Sequence, residues 1–272
     1  MTKRPVRCPR QERSFFMTKQ NKDKSGDSER KGTICLLPSI LTTASLFSGF
    51  YAIVAAINGQ FLHAAIAIIV SGIFDGLDGR VARMTGTTSK FGMEYDSLCD
   101  LVAFGVSPAI LAYEWVLRPY GRYGWLAAFL YVATTALRLA RFNTQDTNSV
   151  KNEFTGLPCP AAGGMIATSV MFCAFFDITG TVKNIVMLMT VYLLSYLMVS
   201  SVKYQSFKHP KTDRAKKFQI LVGLVLFIMV VATEPQVTLF VLGASYVLSG
   251  PIVTVYRLVV KKKVAEEQET IV

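Results

Sequence analysis

Four aspartates carry the strongest chemical signal in the sequence. They fall in Asp75-Gly76-Leu77-Asp78-Gly79-Arg80-Val81-Ala82-Arg83 and, after eight intervening residues, in Gly92-Met93-Glu94-Tyr95-Asp96-Ser97-Leu98-Cys99-Asp100. On helices, Asp75, Asp78, Gly79, Ala82 and Arg83 share one stripe, and Gly92, Asp96 and Asp100 share another at i, i+4, i+8. A short turn between two such helices would set four carboxylates face to face, with Gly79, Ala82 and Gly92 leaving room for close approach or for a ligand. Like charges crowded at one depth repel. Divalent cations relieve this, and hard oxygen donors suit Mg²⁺ or Mn²⁺. Two such ions held by carboxylates are a recurring device for phosphoryl transfer. Any one of these aspartates alone would read equally well as a cap or a solvated helix end; the four together with Arg83 and the glycines do not.

Other chemistry is thinly represented. His63 and His209 are isolated, and no Ser-His or Cys-His pairing is evident. The five cysteines (Cys8, Cys35, Cys99, Cys159, Cys173) show no CxxC spacing, so neither a zinc knuckle nor a disulfide framework is indicated.

The elements that must position the aspartates are membrane helices. Of 272 residues, 51% are hydrophobic and 17% charged, against about 25% charged in soluble domains, and the mean hydropathy is +0.38. So much apolar surface does not fit inside a water-soluble globule of this size. Segments of about twenty apolar residues, enough to cross ~30 Å of hydrocarbon, fall near 36–57, 61–82, 92–116, 123–142, 160–180, 184–203, 217–233 and 236–258. The expected fold is therefore an all-α polytopic bundle of about eight transmembrane helices. Alternate connections hold 26 of the 29 Lys and Arg on one side and leave Arg118, Arg122 and Lys183 on the other. By the positive-inside rule both tails face the cytoplasm, and so does the aspartate cluster. Residues 1–31 read as a basic cytoplasmic tail, 32–204 as the membrane domain, 205–259 as a basic loop with two further spans, and 260–272 as a second tail. The net charge of +11 then suits an anionic lipid surface; no nucleic-acid partner is expected.

The pattern Asp75-x2-Asp78-Gly79-x2-Ala82-Arg83-x8-Gly92-x3-Asp96-x3-Asp100 resembles, at every defined position, the signature of the CDP-alcohol phosphotransferases. Two more stretches resemble the bacterial phosphatidylserine synthases of that family. They are Arg138-Leu139-Ala140-Arg141-Phe142-Asn143 and Phe154-Thr155-Gly156-Leu157-Pro158-Cys159-Pro160-Ala161-Ala162. The similarity runs from about Leu37 to Tyr204.

The resemblance implies that Asp75, Asp78, Asp96 and Asp100 bind two divalent metals, with Asp100 also the base for the acceptor hydroxyl. Gly79 would let a cytidine nucleotide lie against the helix, Arg83 would pair with its diphosphate, and Ser89 would hydrogen-bond a phosphate. Ser39 and Thr42, in a segment like the family's Pro-Asn-x-x-Thr, would meet the nucleotide; Ser39 stands where Asn is more usual. The implied reaction joins L-serine to CDP-diacylglycerol, giving phosphatidylserine and CMP, in a homodimer of the inner membrane. Arg138 and Arg141 are candidates for the serine carboxylate, against a reading as two positive-inside anchors. Two alternatives stay open on sequence: a sister synthase using glycerol 3-phosphate, inositol phosphate or choline, and a cation transporter. Transporter sites lie near the midplane in repeated halves, whereas these carboxylates sit at one end and residues 160–272 hold no second copy of the motif.

Overall fold

The structure is a computed structural model, and it describes residues 39–85, 90–144, 154–178, 180–200, 203–204, 229 and 233–269. Seven helical rods account for nearly all of them. These are α1 (Ser39–Ile57), α2 (Phe61–Thr85), α3 (Lys90–Tyr120), α4 (Arg122–Thr144), α5 (Cys159–Phe175), α6 (Thr181–Val199) and α7 (Pro235–Glu269). Five are long and apolar enough to cross a membrane: α1, α2, α3, α6 and the Pro235–Thr254 part of α7. Helix α5 is apolar but spans only 17 residues. Helix α4 has the length but carries Arg122, Arg138 and Arg141 among its tyrosines and threonines. The seventh expected span, near 217–233, lies almost wholly outside the described residues.

Three departures from the sequence reading have physical causes. A two-residue antiparallel pair, β1 (Phe154–Thr155) with β2 (Lys203–Tyr204), interrupts the all-helical pattern where the chain enters α5 and leaves α6. Helix α7 runs past the expected end near 258 as far as Glu269, because Lys-Lys-Lys-Val-Ala-Glu-Glu-Gln-Glu is built from strong helix formers. And α3 is not a uniform α-helix. It widens to π geometry over Leu101–Val106 and again over Tyr113–Leu117, with one α segment between. Pro108 sits in the first turn of that segment and has no N–H for the carbonyl four residues back. That carbonyl, Phe104 O, accepts instead from the hydroxyl of fully buried Tyr131 on α4 at 3.1 Å.

Lipid gives helices little hydrophobic reason to associate, so close contacts and interhelical hydrogen bonds must do it. Between α1 and α2 the hydroxyls of Ser45 and Ser71 lie 2.8 Å apart. Ser71 also donates to Ser45 O at 3.0 Å, and Ser48 donates to Ala67 O at 2.7 Å. Helix α3 presses on α1 at Gly49, where a Cβ would lie 2.7 Å from Ala103 Cα; beside it, Ser107 donates to the Gly49 carbonyl. Helix α5 enters through Gly156, whose φ of 86° brings the chain against Met198 O. Leu157 N then donates to Leu197 O at 3.1 Å, and Pro158 caps the helix. Helix α7 lies along α5, with Phe240 stacked on Phe172 at 4.4 Å between ring centroids.

Gly49→Val should force α1 and α3 apart at a backbone contact. It is expected to cost about 1–3 kcal/mol, read as a thermal unfolding midpoint in detergent several degrees lower.

Candidate metal centre

The site is assembled at the ends of four helices. Helix α2 supplies Asp75 and Asp78 from its last three turns, and α3 supplies Asp96 and Asp100 from its first three. Three of the four expected carboxylates come together: one carboxylate oxygen from each of Asp75, Asp78 and Asp96 lies within 4.8 Å of the others. Asp100 joins through Asp75, its carboxyl within side-chain hydrogen-bonding reach of that residue. Asp78 is buried at 5% exposure, and the other three are half-buried. Hard oxygens converging on one point at a shielded helix end fit a divalent cation of the Mg²⁺ or Mn²⁺ class.

Helices α1 and α4 hold the pair in register. The Thr42 hydroxyl of α1 donates to Asp78 Oδ2 at 2.8 Å, and Thr43 shares a hydrogen bond of 3.0 Å with the Tyr95 hydroxyl on α3. From α4, Asn143 Nδ2 donates to Glu94 Oε2 at 3.1 Å and to Ser97 Oγ at 3.0 Å, bracketing Asp96. Thr42 thus reaches the expected site, but its partner here is an aspartate. Asn143 ends the Arg138–Asn143 stretch singled out in the sequence, yet its part in holding Asp96 was not legible there. The signal is a contact across 46 to 49 residues, which spacing on one helix does not carry.

The remaining candidates are distributed around this cluster. A Cβ on Gly79 would meet only the Arg83 guanidinium, at 3.9 Å, and one on Gly76 would meet no described atom within 4 Å. Among the described residues the α2 face beside the aspartates is therefore open, and exposed Arg83 lies over it. Ser39 is half-buried in the first turn of α1, its carbonyl accepting from Thr43 at 2.7 Å. Ser89 lies outside the described residues.

Arg138 and Arg141 diverge. Arg138 is half-buried, with Nη1 donating to Cys159 Sγ at 3.1 Å and a buried Nε that has no partner among the described residues. Arg141 is exposed. Among the described residues the ion pair present is Arg118–Glu114, far from either. A cavity of about 360 Å³ lies at the opposite end of the bundle, lined in part by His63, Trp115, Asp177 and Lys183, and it includes none of these candidates.

The sequence profile of the CDP-alcohol phosphatidyltransferases matches residues 35–196, a stretch that contains every element of this site. The chain belongs to that family. Its similarity to individual members extends further. A CDP-diacylglycerol–serine O-phosphatidyltransferase of Helicobacter pylori strain 26695 is 38% identical over 220 residues, covering 79% of this chain and 89% of the relative. The protein of the same name from Helicobacter pylori strain J99 is 38% identical over 229 residues, 82% of this chain and 93% of the relative. An archaetidylserine synthase of Methanothermobacter thermautotrophicus is 37% identical over 170 residues, 62% of this chain and 69% of the relative. With apolar helices long enough to span a bilayer and this membership, the chain is an integral membrane protein.

Thr42→Val keeps the shape of the side chain and removes the hydrogen bond to Asp78. Hydrogen bonds to charged groups contribute about 1.5–3 kcal/mol, so Mn²⁺ affinity should fall about tenfold or more, measured by the free Mn²⁺ signal in electron paramagnetic resonance titrations. Asn143→Ala should weaken the same titration less, because Asp96 keeps its helix and loses only its brace.

Proposed function

We propose that the chain transfers the phosphatidyl group of CDP-diacylglycerol to L-serine, giving phosphatidylserine and CMP. The observation that carries this reading is the convergence of Asp75, Asp78 and Asp96 at an open helix end, beside a face on which Arg83 overlies Gly79. The names of the relatives add the acceptor. The Helicobacter and Methanothermobacter proteins differ in the lipid half of their names and share serine.

Asp75, Asp78, Asp96 and Asp100 would hold two divalent ions, Mg²⁺ or Mn²⁺. When bound, such ions supply charge neutralisation at a diphosphate and its leaving group. The chain's own residues do the rest. Arg83 offers the diphosphate a planar, permanently charged fork, and Gly79 lets the cytidine approach the helix backbone. Ser39, Thr42 and Ser89 add hydroxyls on the nucleotide side; Thr42 is already engaged in steering Asp78. The serine hydroxyl gives its proton to Asp100 and bonds to the lipid-side phosphorus, while the bond from that phosphorus to the CMP oxygen breaks. No covalent enzyme intermediate is needed.

Arg138 is favoured over Arg141 for the serine carboxylate. A half-buried guanidinium with an unpartnered Nε and no ion pair among the described residues can take an anion; an exposed one has water. Arg141 then remains a cation at the membrane surface.

The wider organisation belongs to the same proposal. Eight spans with both tails inside would place residues 32–204 as the catalytic membrane domain, its site facing the cytoplasm from the inner membrane. The positions of the arginines support it. Arg80, Arg83, Arg138 and Arg141 sit at the aspartate end of α2 and α4, and Arg118, Arg122 and Lys183 at the other. Acyl chains can then stay in hydrocarbon while the nucleotide occupies the polar end. A homodimer is implied by the family resemblance.

Two experiments test this. Purified protein with CDP-diacylglycerol and Mn²⁺ should release CMP with L-serine and not with glycerol 3-phosphate, inositol phosphate or choline; CMP release with glycerol 3-phosphate alone would replace the acceptor. Asp100→Asn should lower turnover by at least about a hundredfold, within the ~10²–10⁴ range for a general base, while CDP-diacylglycerol still binds. Normal turnover in that variant removes Asp100 from the role of base.

A further inference from the structure

The last helix stands outside the family match at residues 35–196, and the sequence gives it no motif. Its packing gives it a position. Helices α5 and α7 run antiparallel. Phe240 stacks on Phe172, and three residues on, Gly243 faces Met165 and Thr168, where its Cβ would meet the Met165 sulfur at 3.5 Å and the Thr168 hydroxyl at 3.7 Å. Each step along α7 toward its C-terminus is thus a step along α5 toward Cys159. One turn beyond Gly243, α7 presents Tyr246 and Val247. Val247 is buried in the cluster that includes Cys159 and Ala162, and Tyr246 packs half-buried against that cluster. Cys159 is the residue whose sulfur receives Arg138 Nη1. Consistent with this register, the Tyr246 phenol lies within electrostatic reach of the Arg138 guanidinium.

A guanidinium can only donate hydrogen bonds. An amino-acid acceptor presents a carboxylate and an ammonium side by side, so a site built from Arg138 alone leaves the ammonium without an oxygen. The aspartates are committed to the metals, and the Cys159 thiol is a weak acceptor. A phenol packed against the cluster that holds Cys159, within electrostatic reach of the arginine, would supply both a donor and a lone pair.

We propose that α7 walls the acceptor pocket and that Tyr246 is a specificity-determining residue, its hydroxyl meeting the amino-acid end of the acceptor next to Arg138. This rests on the serine reading above. The contact lies at the end of serine remote from the reacting hydroxyl, so it governs acceptor affinity more than the chemical step.

The test uses the full chain in proteoliposomes with CDP-diacylglycerol and Mn²⁺, following CMP release at varied L-serine. Tyr246→Phe should raise KM for serine about tenfold, with kcat and KM for CDP-diacylglycerol changed by less than about threefold; that is the loss of about one hydrogen bond. Val247→Ala, one residue away in the same packed seam, separates structure from recognition. It should lower the thermal midpoint and leave KM for serine in place. An unchanged serine KM in Tyr246→Phe overturns the proposal, as does a rise matched by Val247→Ala or a parallel rise in KM for CDP-diacylglycerol. Failure of the unaltered chain to form phosphatidylserine overturns the serine reading itself, which the variants do not address.

Discussion

Three carboxylates with oxygens within 4.8 Å of one another are the constraint around which this molecule is arranged. At an effective dielectric near 20, unit like charges at that separation repel by about 3 kcal/mol per pair. No described lysine or arginine forms an ion pair with them. The arrangement is therefore held by the scaffold against its own electrostatics. On the proposed function a divalent cation would make it favourable and would also attract a diphosphate there. The structural question is what keeps α2 and α3 from splaying, since their connection is short and their facing ends are acidic.

The answer lies in contacts made by the neighbouring helices. Helix α1 is bound to α2 by the Ser45–Ser71 and Ser48–Ala67 hydrogen bonds, and it delivers Thr42 to Asp78. Its Gly49 lets α3 approach to backbone contact. Helix α4 fixes the other side twice, at Asn143 to Glu94 and Ser97, and at Tyr131 to the Phe104 carbonyl. The second tie matters because α3 widens to π geometry directly after Asp100. Such segments leave carbonyls poorly served and recur near functional sites. Here the wide turn is pinned by a fully buried tyrosine, so the irregularity re-aims the helix without loosening it.

How much of this was legible in the sequence depends on the range of the interaction. Asp75 with Asp78 and Asp96 with Asp100 were readable because a helix places i+3 and i+4 on one face, and hydropathy marked the helices that carry them. Thr42 was placed at the site from its segment, but its bond to Asp78 spans 36 residues of sequence and has no local trace. The brace from Asn143 and the serine contacts between α1 and α2 are equally non-local. Arg138 and Arg141 looked alike because spacing puts both at one helix end; only the turn into α5, which sets Cys159 under Arg138, tells them apart. The π segments of α3 were hidden for a different reason: Pro108 announces a disturbance, but its outcome depends on Tyr131 being there to accept the consequence.

The two ends of the bundle differ in how their charges are met within the chain. At the far end Lys183 lies over the Trp115 ring at 4.8 Å from its centroid, at a cavity that Asp177 and His63 also line. Lys183 there has the Trp115 ring as a partner, and Arg118 has Glu114. At the aspartate end the carboxylates cluster together, Arg83 lies over Gly79, and Arg138 has a buried Nε with no partner among the described residues. Burying charge without a partner is costly, and among the described residues no lysine or arginine is ion-paired with these aspartates. Helices tied together elsewhere hold the groups in this arrangement, and on the proposed function their partners would come from outside the chain. A cation for the aspartates, a diphosphate for Arg83 and a carboxylate for Arg138 would then be one lipid nucleotide meeting one amino acid, as the proposed function requires.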